Sequence, residues 1–323
     1  MLNRRILRIK AFKVLYSYAE DQSMTLEEAE SQLKESLEAT RTLYLFMLDL
    51  IPALTEEARR RIKETSAKFN PTEEEKHPNM KFVENQVAPL LSEDPDFQKI
   101  ISKRCLSWEQ HDAFLRRLYD TVRTREYFID YMNAPERSLK EDAALFRRIF
   151  EDELVDDEEL ERILEDMSLW WNDDLAYSLT WCCNAMKDFA AGKRWTLPEL
   201  YKSDMVKAGH GNPKQKVDSD KDFVFKLLRT SYVNYGKYLK RIAEMVPDWD
   251  DNRLFVTDIE LIVMGLSEAK AFPDMPLRVT INEYVEISKF YSTPKSRQFV
   301  NGLLDKLVKK LIEEGEIVKT VEN

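Results

Sequence analysis

The amino-acid sequence predicts an all-α protein, because apolar residues recur at helical spacing along almost the whole chain. No run alternates apolar and polar residues as a half-buried strand does, and we find no internal repeat. Glycine is also scarce: seven of the 323 residues are glycine, and none precedes Gly192. This excludes an ordinary phosphate-binding loop from residues 1–191, since such loops use glycine to bring backbone N–H groups close to phosphate.

The N-terminal segment predicts two helices. The first spans residues 3–19 and places Leu7, Ala11 and Leu15 on one apolar face. The second follows Thr25 and Glu28, which have capping-box spacing, and runs to about residue 67. Pro52 is expected to divide or kink this second helix, because proline cannot donate a backbone hydrogen bond.

The middle of the chain continues in the same way after a proline-containing loop over residues 70–79. Ser138 is a plausible helix cap there, and Pro135 a plausible stop. The helical patterns cover residues 80–92, 107–133, 139–154, 157–167, 172–191 and 197–207.

A glycine- and proline-containing linker over residues 208–219 precedes the last group of helices. The pair Thr293 and Pro294 predicts a cap followed by proline at the first helical position. The helical patterns after the linker cover residues 220–245, 254–270, 277–291 and 294–314.

Charge is distributed unevenly along the chain. The net charge is -10, and residues 141–174, with fourteen acidic and three basic residues, account for all of it. We interpret this acidic segment as a solvated surface, with docking of a basic protein as the alternative. Residues 1–19 contain five basic residues and no acidic one, so an acidic chain can still present a local basic face.

Other classes of function find no support in the composition. The sequence has no apolar stretch long enough to span a membrane and no apolar secretory segment, which predicts a cytoplasmic protein. Three cysteines and three scattered histidines lack the spacing of a disulfide framework or a metal site. No cofactor motif and no nucleophile–base spacing appears, so we expect neither a cofactor nor catalysis.

Two segments near the C-terminus carry a specific resemblance. Residues 276–289 read PLRVTINEYVEISK, and residues 296–306 read SRQFVNGLLDK. They resemble the signature of the NusB family, in which a proline, a short apolar stretch and Ile-Asn-Glu lead one helix. A Ser-x-x-Phe-Val-Asn-Gly-x-Leu-Asp-Lys run opens the next helix of that family.

The resemblance extends to the arginine-containing first helix, which reads RRILRIKAFKVLY over residues 4–16. It covers residues 1–65 and 220–312, whereas residues 70–215 have no counterpart. We therefore expect a NusB-like helical bundle split by a large helical insertion. The predicted parts are residues 1–68 and 220–323 for the bundle and residues 69–219 for the insertion.

The resemblance implies a non-catalytic transcription antitermination factor. Members of the family bind boxA-type single-stranded RNA together with the ribosomal protein NusE. The pair joins the RNA polymerase elongation complex with other Nus factors, chiefly on ribosomal RNA operons. For this chain we expect the same partners.

Two groups of residues are candidates for the RNA contact. Arg4, Arg5 and Arg8 share a helix face, and the planar arginine fork suits phosphate, although a solvated basic face is the plainer interpretation. The second group lies at the start of the last predicted helix. For Val300 and Gly302 in that segment, packing in the protein core is the main alternative to RNA binding. The complete predicted RNA-binding set is Arg4, Arg5, Arg8, Lys13, Tyr16, Lys295, Arg297, Phe299 and Asn301.

Two alternatives stay open at this point. One is a protein-interaction scaffold without RNA binding, which the interruption of the arginine run by Ile6 and the acidic segment favour. The other is the NusB-like part of a ribosomal RNA cytosine methyltransferase. Such enzymes need a glycine-containing methyl-donor site after that part, and only 21 residues follow Gly302, so we expect the antitermination type.

Overall fold

The computed structural model describes residues 1–202, 204–206, 215–217, 219–246 and 255–321. Their secondary structure is almost entirely helical, which confirms the predicted all-α class. The contacts divide the chain into two compact units, one made of Met1–Leu37 and Glu199–Asn323 and the other of Glu38–Pro198. The boundaries that the sequence predicts, at residues 68 and 219, differ from these, and the three-part division stays a prediction.

The first unit holds the helices that carry the family resemblance. Its elements are α1 (Arg4–Glu20), the first turns of α2 (Leu26–Ser66), β1 (Asp204–Val206), β2 (Gln215–Val217), α11 (Ser219–Met245), α12 (Val256–Ala271), α13 (Leu277–Tyr291) and α14 (Ser296–Glu313).

The second unit contains the remainder of α2 and a series of shorter helices. They are α3 (Glu73–Lys76), α4 (Pro89–Ser92), α5 (Pro95–Lys103), α6 (Asp112–Val122), α7 (Glu126–Asn133), α8 (Leu139–Asp152), α9 (Glu158–Met167) and α10 (Leu175–Ala190), with single 3₁₀ turns at Glu109–His111 and Leu169–Trp171.

Several predicted elements are corrected by the structure. Helix α2 is continuous through Pro52, so the proline does not divide it. The pattern over 107–133 is two helices, α6 and α7, and the pattern over 80–92 yields only the four residues of α4. The predicted helix over 197–207 is not found in its described residues, 197–202 and 204–206, of which the latter form β1, paired antiparallel with β2. Residues 208–214 and 218 of the predicted linker lie outside the described residues.

The core of the first unit is centred on α12, which is the most apolar helix of that unit. Leu261, Val263 and Leu266 are fully buried, and α12 packs against α1, α11, α13 and α14. Gly265 lies where α14 approaches, because a Cβ built at this position would be 2.6 Å from Leu304 Cδ2. The absence of a side chain at residue 265 thus allows the two helices to come together.

Replacing Gly265 by alanine should destabilise the protein by about 1–3 kcal/mol, because overpacking costs more than the gain in helix propensity. Gly236 in α11 is the matched control, since a Cβ there meets nothing within 4 Å. Gly236→Ala should stabilise the protein by about 0.5–1 kcal/mol. Urea unfolding of both variants checks the opposite signs, and equal effects would contradict the close approach.

Candidate nucleic-acid interface

The first unit has a surface groove of about 710 Å³ at the N-terminal end of α1. We call it the arginine groove. Helix α1 supplies one side, α11 contributes Lys226, and the α12–α13 connection with the start of α13 supplies the other side. Its lining consists of Asn3, Arg4, Arg5, Arg8, Lys226, Ala271, Phe272, Pro273, Asp274, Met275, Pro276, Val279 and Glu283.

The start of α1 fixes the direction of its arginines. Asn3 caps the helix, since its side chain accepts a hydrogen bond from the backbone N–H of Ile6 at 3.0 Å. The helical rotation then leaves Arg4 and Arg5 outward while Arg8 turns inward. Of the three arginines of α1 in the predicted set, Arg4 and Arg5 are therefore exposed and Arg8 is buried.

The exposed pair is held in place by carboxylates. Arg4 donates from Nε to Asp220 at 3.1 Å, and its guanidinium lies 4.9 Å from the centre of the Phe223 ring. Arg5 donates two hydrogen bonds to Glu283, at 3.1 and 2.9 Å, which raise the pKa of Arg5 and lower that of Glu283. Because the two arginine side chains keep 48% and 43% exposure, their remaining donors are accessible to an anionic ligand.

Arg8 is placed quite differently, because its side chain is only 3% exposed. It donates two hydrogen bonds to the fully buried Glu268, at 2.7 and 2.9 Å. Thr280 and Tyr284 donate to the same carboxylate, both at 3.0 Å. Burial opposes the charge of Arg8, but the bonds to Glu268 outweigh it and the pKa of Arg8 is raised. Arg8 thus joins α1 to α12 and, through Glu268, to α13.

Two residues of this region, Lys226 and Glu268, are not among those predicted from the sequence. Lys226 lines the groove, and its ammonium lies 5.1 Å from the centre of the Phe272 ring. Glu268 is the buried partner of Arg8. A signal for Glu268 exists in the sequence, because an acidic residue on a helix as apolar as α12 needs a buried partner.

Lys13 and Tyr16 lie farther along α1. Tyr16 is 36% exposed, and its ring centre is 6.5 Å from that of the buried Phe12. Phe12 in turn packs edge-on against Tyr291 at the end of α13, with ring centres 5.2 Å apart. Lys13 is partly buried. These contacts place the second half of α1 next to the C-terminal end of α13.

The C-terminal members of the predicted set surround the start of α14, which begins at Ser296, two residues later than predicted. Arg297 and Asn301 line a second groove, of about 950 Å³, between α13 and α14. Lys295 is exposed, whereas Phe299 is partly buried and is not among the residues that line this groove. Five members of the predicted set thus line one of the two grooves, Arg4, Arg5 and Arg8 in the first and Arg297 and Asn301 in the second, whereas Lys13, Tyr16, Lys295 and Phe299 line neither.

Charged residues of both grooves act on one glutamate of α13. The pKa of Glu286 on α13 is lowered, first by its hydrogen bond to Lys289 and also by the charges of Arg5 and Arg297. Arg5 belongs to the arginine groove and Arg297 to the second one. Cationic groups from both ends of the sequence therefore act on the same carboxylate of α13.

This arrangement suits an anionic polymer. Arg4, Arg5 and Lys226 offer charge to phosphates, while Phe272, Met275 and Val279 give the groove an apolar wall. Within the part of the chain that the structure describes, no cluster of metal-binding side chains is found. In the same part, no helix combines the length and the apolar character needed to cross a membrane.

Comparison with known proteins supplies the family. The model of the NusB family matches residues 196–309. The transcription antitermination protein NusB of Chloroherpeton thalassium is 34% identical over 125 residues, which are 38% of this chain and 59% of that protein. That of Salinibacter ruber is 31% identical over 120 residues, 36% of this chain and 75% of that protein.

A third relative, the transcription antitermination protein NusB of Alkaliphilus oremlandii, is 31% identical over 93 residues, which are 29% of this chain and 67% of that protein. No solved structure gives a significant match. The matched stretch of 196–309 covers α11 to α13 and most of α14, and it contains the lining residues of the arginine groove other than those from Asn3 and α1. This chain is a member of the NusB family.

Proposed function

We propose that this chain is a cytoplasmic transcription antitermination factor. It binds boxA-type single-stranded RNA together with the ribosomal protein NusE and joins the elongating RNA polymerase with other Nus factors, chiefly at ribosomal RNA operons. The observation that carries the proposal is the half-exposed pair of Arg4 and Arg5 in a groove of about 710 Å³. The role is binding and tethering, with no covalent bond made or broken.

The charges in the arginine groove support a polyanion rather than a single small anion. Arg4 and Arg5 each face their own carboxylate, Asp220 and Glu283, so a lone anion would have to compete with one of these pairs. The arginines of both pairs are half-exposed although their carboxylates are not, so several adjacent phosphates can compete for the two arginines together. The apolar wall around Phe272 and Met275 then faces the bases.

The buried position of Arg8 changes the role that we assign to it. A direct RNA contact would require Arg8 to leave Glu268, which is fully buried and would keep an unpaired charge. We therefore assign Arg8 the positioning of α1 against α12 and α13. Direct contact is assigned to Arg4, Arg5, Lys13, Tyr16, Lys295, Arg297, Phe299 and Asn301.

The double variant Arg4→Glu/Arg5→Glu should weaken the binding of a labelled single-stranded RNA by about tenfold or more, because two phosphate contacts become repulsive. The slope of log affinity against log salt should also fall by roughly one to two. Fluorescence anisotropy at two or more salt concentrations measures both effects. The variant Arg4→Gln/Arg5→Gln removes the charges without adding repulsion against Glu283.

The matched control is Lys34→Glu/Lys240→Glu, which makes the same charge change at two exposed lysines of the first unit outside both grooves. It should change RNA affinity far less. Equal losses in the two double variants would mean that only net charge matters, and the arginine groove would not be the RNA site.

A scaffold that does not bind RNA is the second candidate. One observation favours it: carboxylates already partner the two exposed arginines of the groove. Such a scaffold would show no affinity for RNA above that for other polyanions. It would also retain its protein partners when Arg4 and Arg5 are reversed in charge.

A further inference from the structure

The second unit has a groove of its own, of about 450 Å³, between α8 and α10. We call it the α8–α10 groove. Its floor is formed by small or flexible apolar side chains, namely Ala143, Ala144, Met186 and Ala190. Ala144 and Ala190 are exposed, so no longer side chain fills the groove from the surface.

The sides of this groove are cationic. They carry Lys140, Arg147, Arg148 and Lys187, and Glu151 is the one carboxylate among the lining residues. This concentration of positive charge contrasts with the strongly acidic sequence around it, of which residues 141–174 hold fourteen acidic residues. A localised potential of opposite sign is the electrostatic mark of a binding surface.

The ion pairs at the groove are local and weak. Arg147 pairs with Glu151 at 2.8 Å and Arg148 with Asp152 at 3.4 Å, and both pairs connect residues four apart on α8. The arginine side chains are 44% and 59% exposed. Such pairs contribute about 0.3–0.5 kcal/mol, so an incoming carboxylate can take over the arginines at little cost.

The lining favours a peptide over RNA. Single-stranded nucleic acid is held by stacking on aromatic rings, and no aromatic residue lines the α8–α10 groove. The ring of Tyr127 lies 5.7 Å from the guanidinium of Arg148, but Tyr127 is not one of the residues that line the groove. The exposed Ala144 and Ala190 instead offer apolar surface to apolar side chains, which a phosphate backbone cannot use.

The spacing along α8 defines the shape of the ligand. Lys140 and Arg147 are two helical turns apart, or about 10 Å, with Ala143 and Ala144 between them. Small side chains allow a third helix to lie close to a helix pair. We propose that the α8–α10 groove docks an acidic amphipathic helix of a partner protein. Its carboxylates, two turns apart, face Lys140 and Arg147, and its apolar residues lie on the alanine floor.

A second copy of this chain fits the groove less well. The acidic helix α9 is the obvious candidate from the chain itself, yet its apolar residues Leu160 and Leu164 are already buried in its own unit. Its outward side carries Glu158, Glu161 and Glu165 and offers charge without an apolar stripe. The proposal therefore concerns another protein, and it stands independently of RNA binding by the first unit.

The test uses the full chain and a fluorescein-labelled designed helical peptide with glutamates two turns apart and leucine and alanine between them. A peptide of the same composition in scrambled order is the reference. We expect salt-sensitive binding of the patterned peptide only, weakened about tenfold by Lys140→Glu/Arg147→Glu. Lys99→Glu/Lys103→Glu, on exposed residues of α5 in the same unit, is the matched control and should leave binding unchanged.

Four results would overturn the proposal. Equal binding of both peptides, or no binding of either, would remove the patterned helix as the ligand. A loss of single-stranded RNA affinity in Lys140→Glu/Arg147→Glu, but not in the α5 control, would assign the groove to nucleic acid. Self-association that the same variant abolishes would assign it to a second copy. Circular dichroism melting confirms that the exposed substitutions leave the fold intact.

Discussion

Arg8→Ala is expected to destabilise the first unit by about 3–5 kcal/mol, because it leaves the carboxylate of Glu268 buried without its cation. Thr280 and Tyr284 would still donate hydrogen bonds to that carboxylate, but neither carries a charge. For a unit of this size the loss corresponds to a fall in melting temperature of about 10 °C. Circular dichroism at 222 nm measures it.

Arg5→Ala is the matched control, since Arg5 also donates two hydrogen bonds to one carboxylate and lies on the same helix. Its side chain is 43% exposed, so the loss should stay within about 1 kcal/mol. Similar destabilisation by the two substitutions would show that Arg8 is not a buried structural ion pair. In that case its original assignment as an RNA contact would regain support.

Glu260→Gln is expected to stabilise the protein at alkaline pH. Glu260 is fully buried, and burial raises its pKa to about 8 although Tyr235 donates a hydrogen bond to it at 2.6 Å. In the described residues its second carboxylate oxygen has no hydrogen-bond partner. A glutamine keeps the acceptor for Tyr235 and never ionises.

Proton linkage determines how the stability of the folded protein changes with pH. Between the ordinary pKa of 4.5 and the folded value of about 8, the folded state retains a proton that the unfolded chain releases. Stability therefore falls as pH rises through this window, and the loss is complete above pH 8. Its size is on the order of a few kcal/mol.

Urea unfolding at pH 5, 7 and 9 checks this linkage. The wild type should lose stability across the series relative to Glu260→Gln, and the gap should be largest at pH 9. Glu313→Gln, at an exposed position of α14, is the control and should run parallel to the wild type. A gap that stays constant with pH would mean that Glu260 is already ionised in the folded protein.

Much of the fold follows from local sequence pattern. The predicted bounds of α13 match the structure to the residue, and those of α1, α11, α12 and α14 within two residues, because helical periodicity is a local property. The Thr25–Glu28 capping box is present at the start of α2. The failures also have local causes: β1 and β2 are three residues each, too short to show alternation.

The burial of the predicted site residues depends less on local sequence pattern than the bounds of the helices do. Helical rotation put Arg8 beside Arg4 and Arg5, but its burial is set by Glu268, 260 residues away in the sequence. Lys10 shows the same effect, since it is buried and donates to the backbone carbonyl of Ser36 at 2.7 Å. A basic residue on α1 can be buried or exposed, and only the helix that packs on it decides which.

The arginine groove is the site at which we propose that boxA-type RNA binds. The most direct test titrates this protein, with and without NusE, into labelled boxA RNA and a scrambled RNA, following fluorescence anisotropy at two salt concentrations. We predict tighter binding of boxA RNA when NusE is present, weakened by salt and by Arg4→Glu/Arg5→Glu. Binding of boxA RNA no tighter than that of scrambled RNA, even with NusE, would contradict the claim and leave the scaffold as the better account.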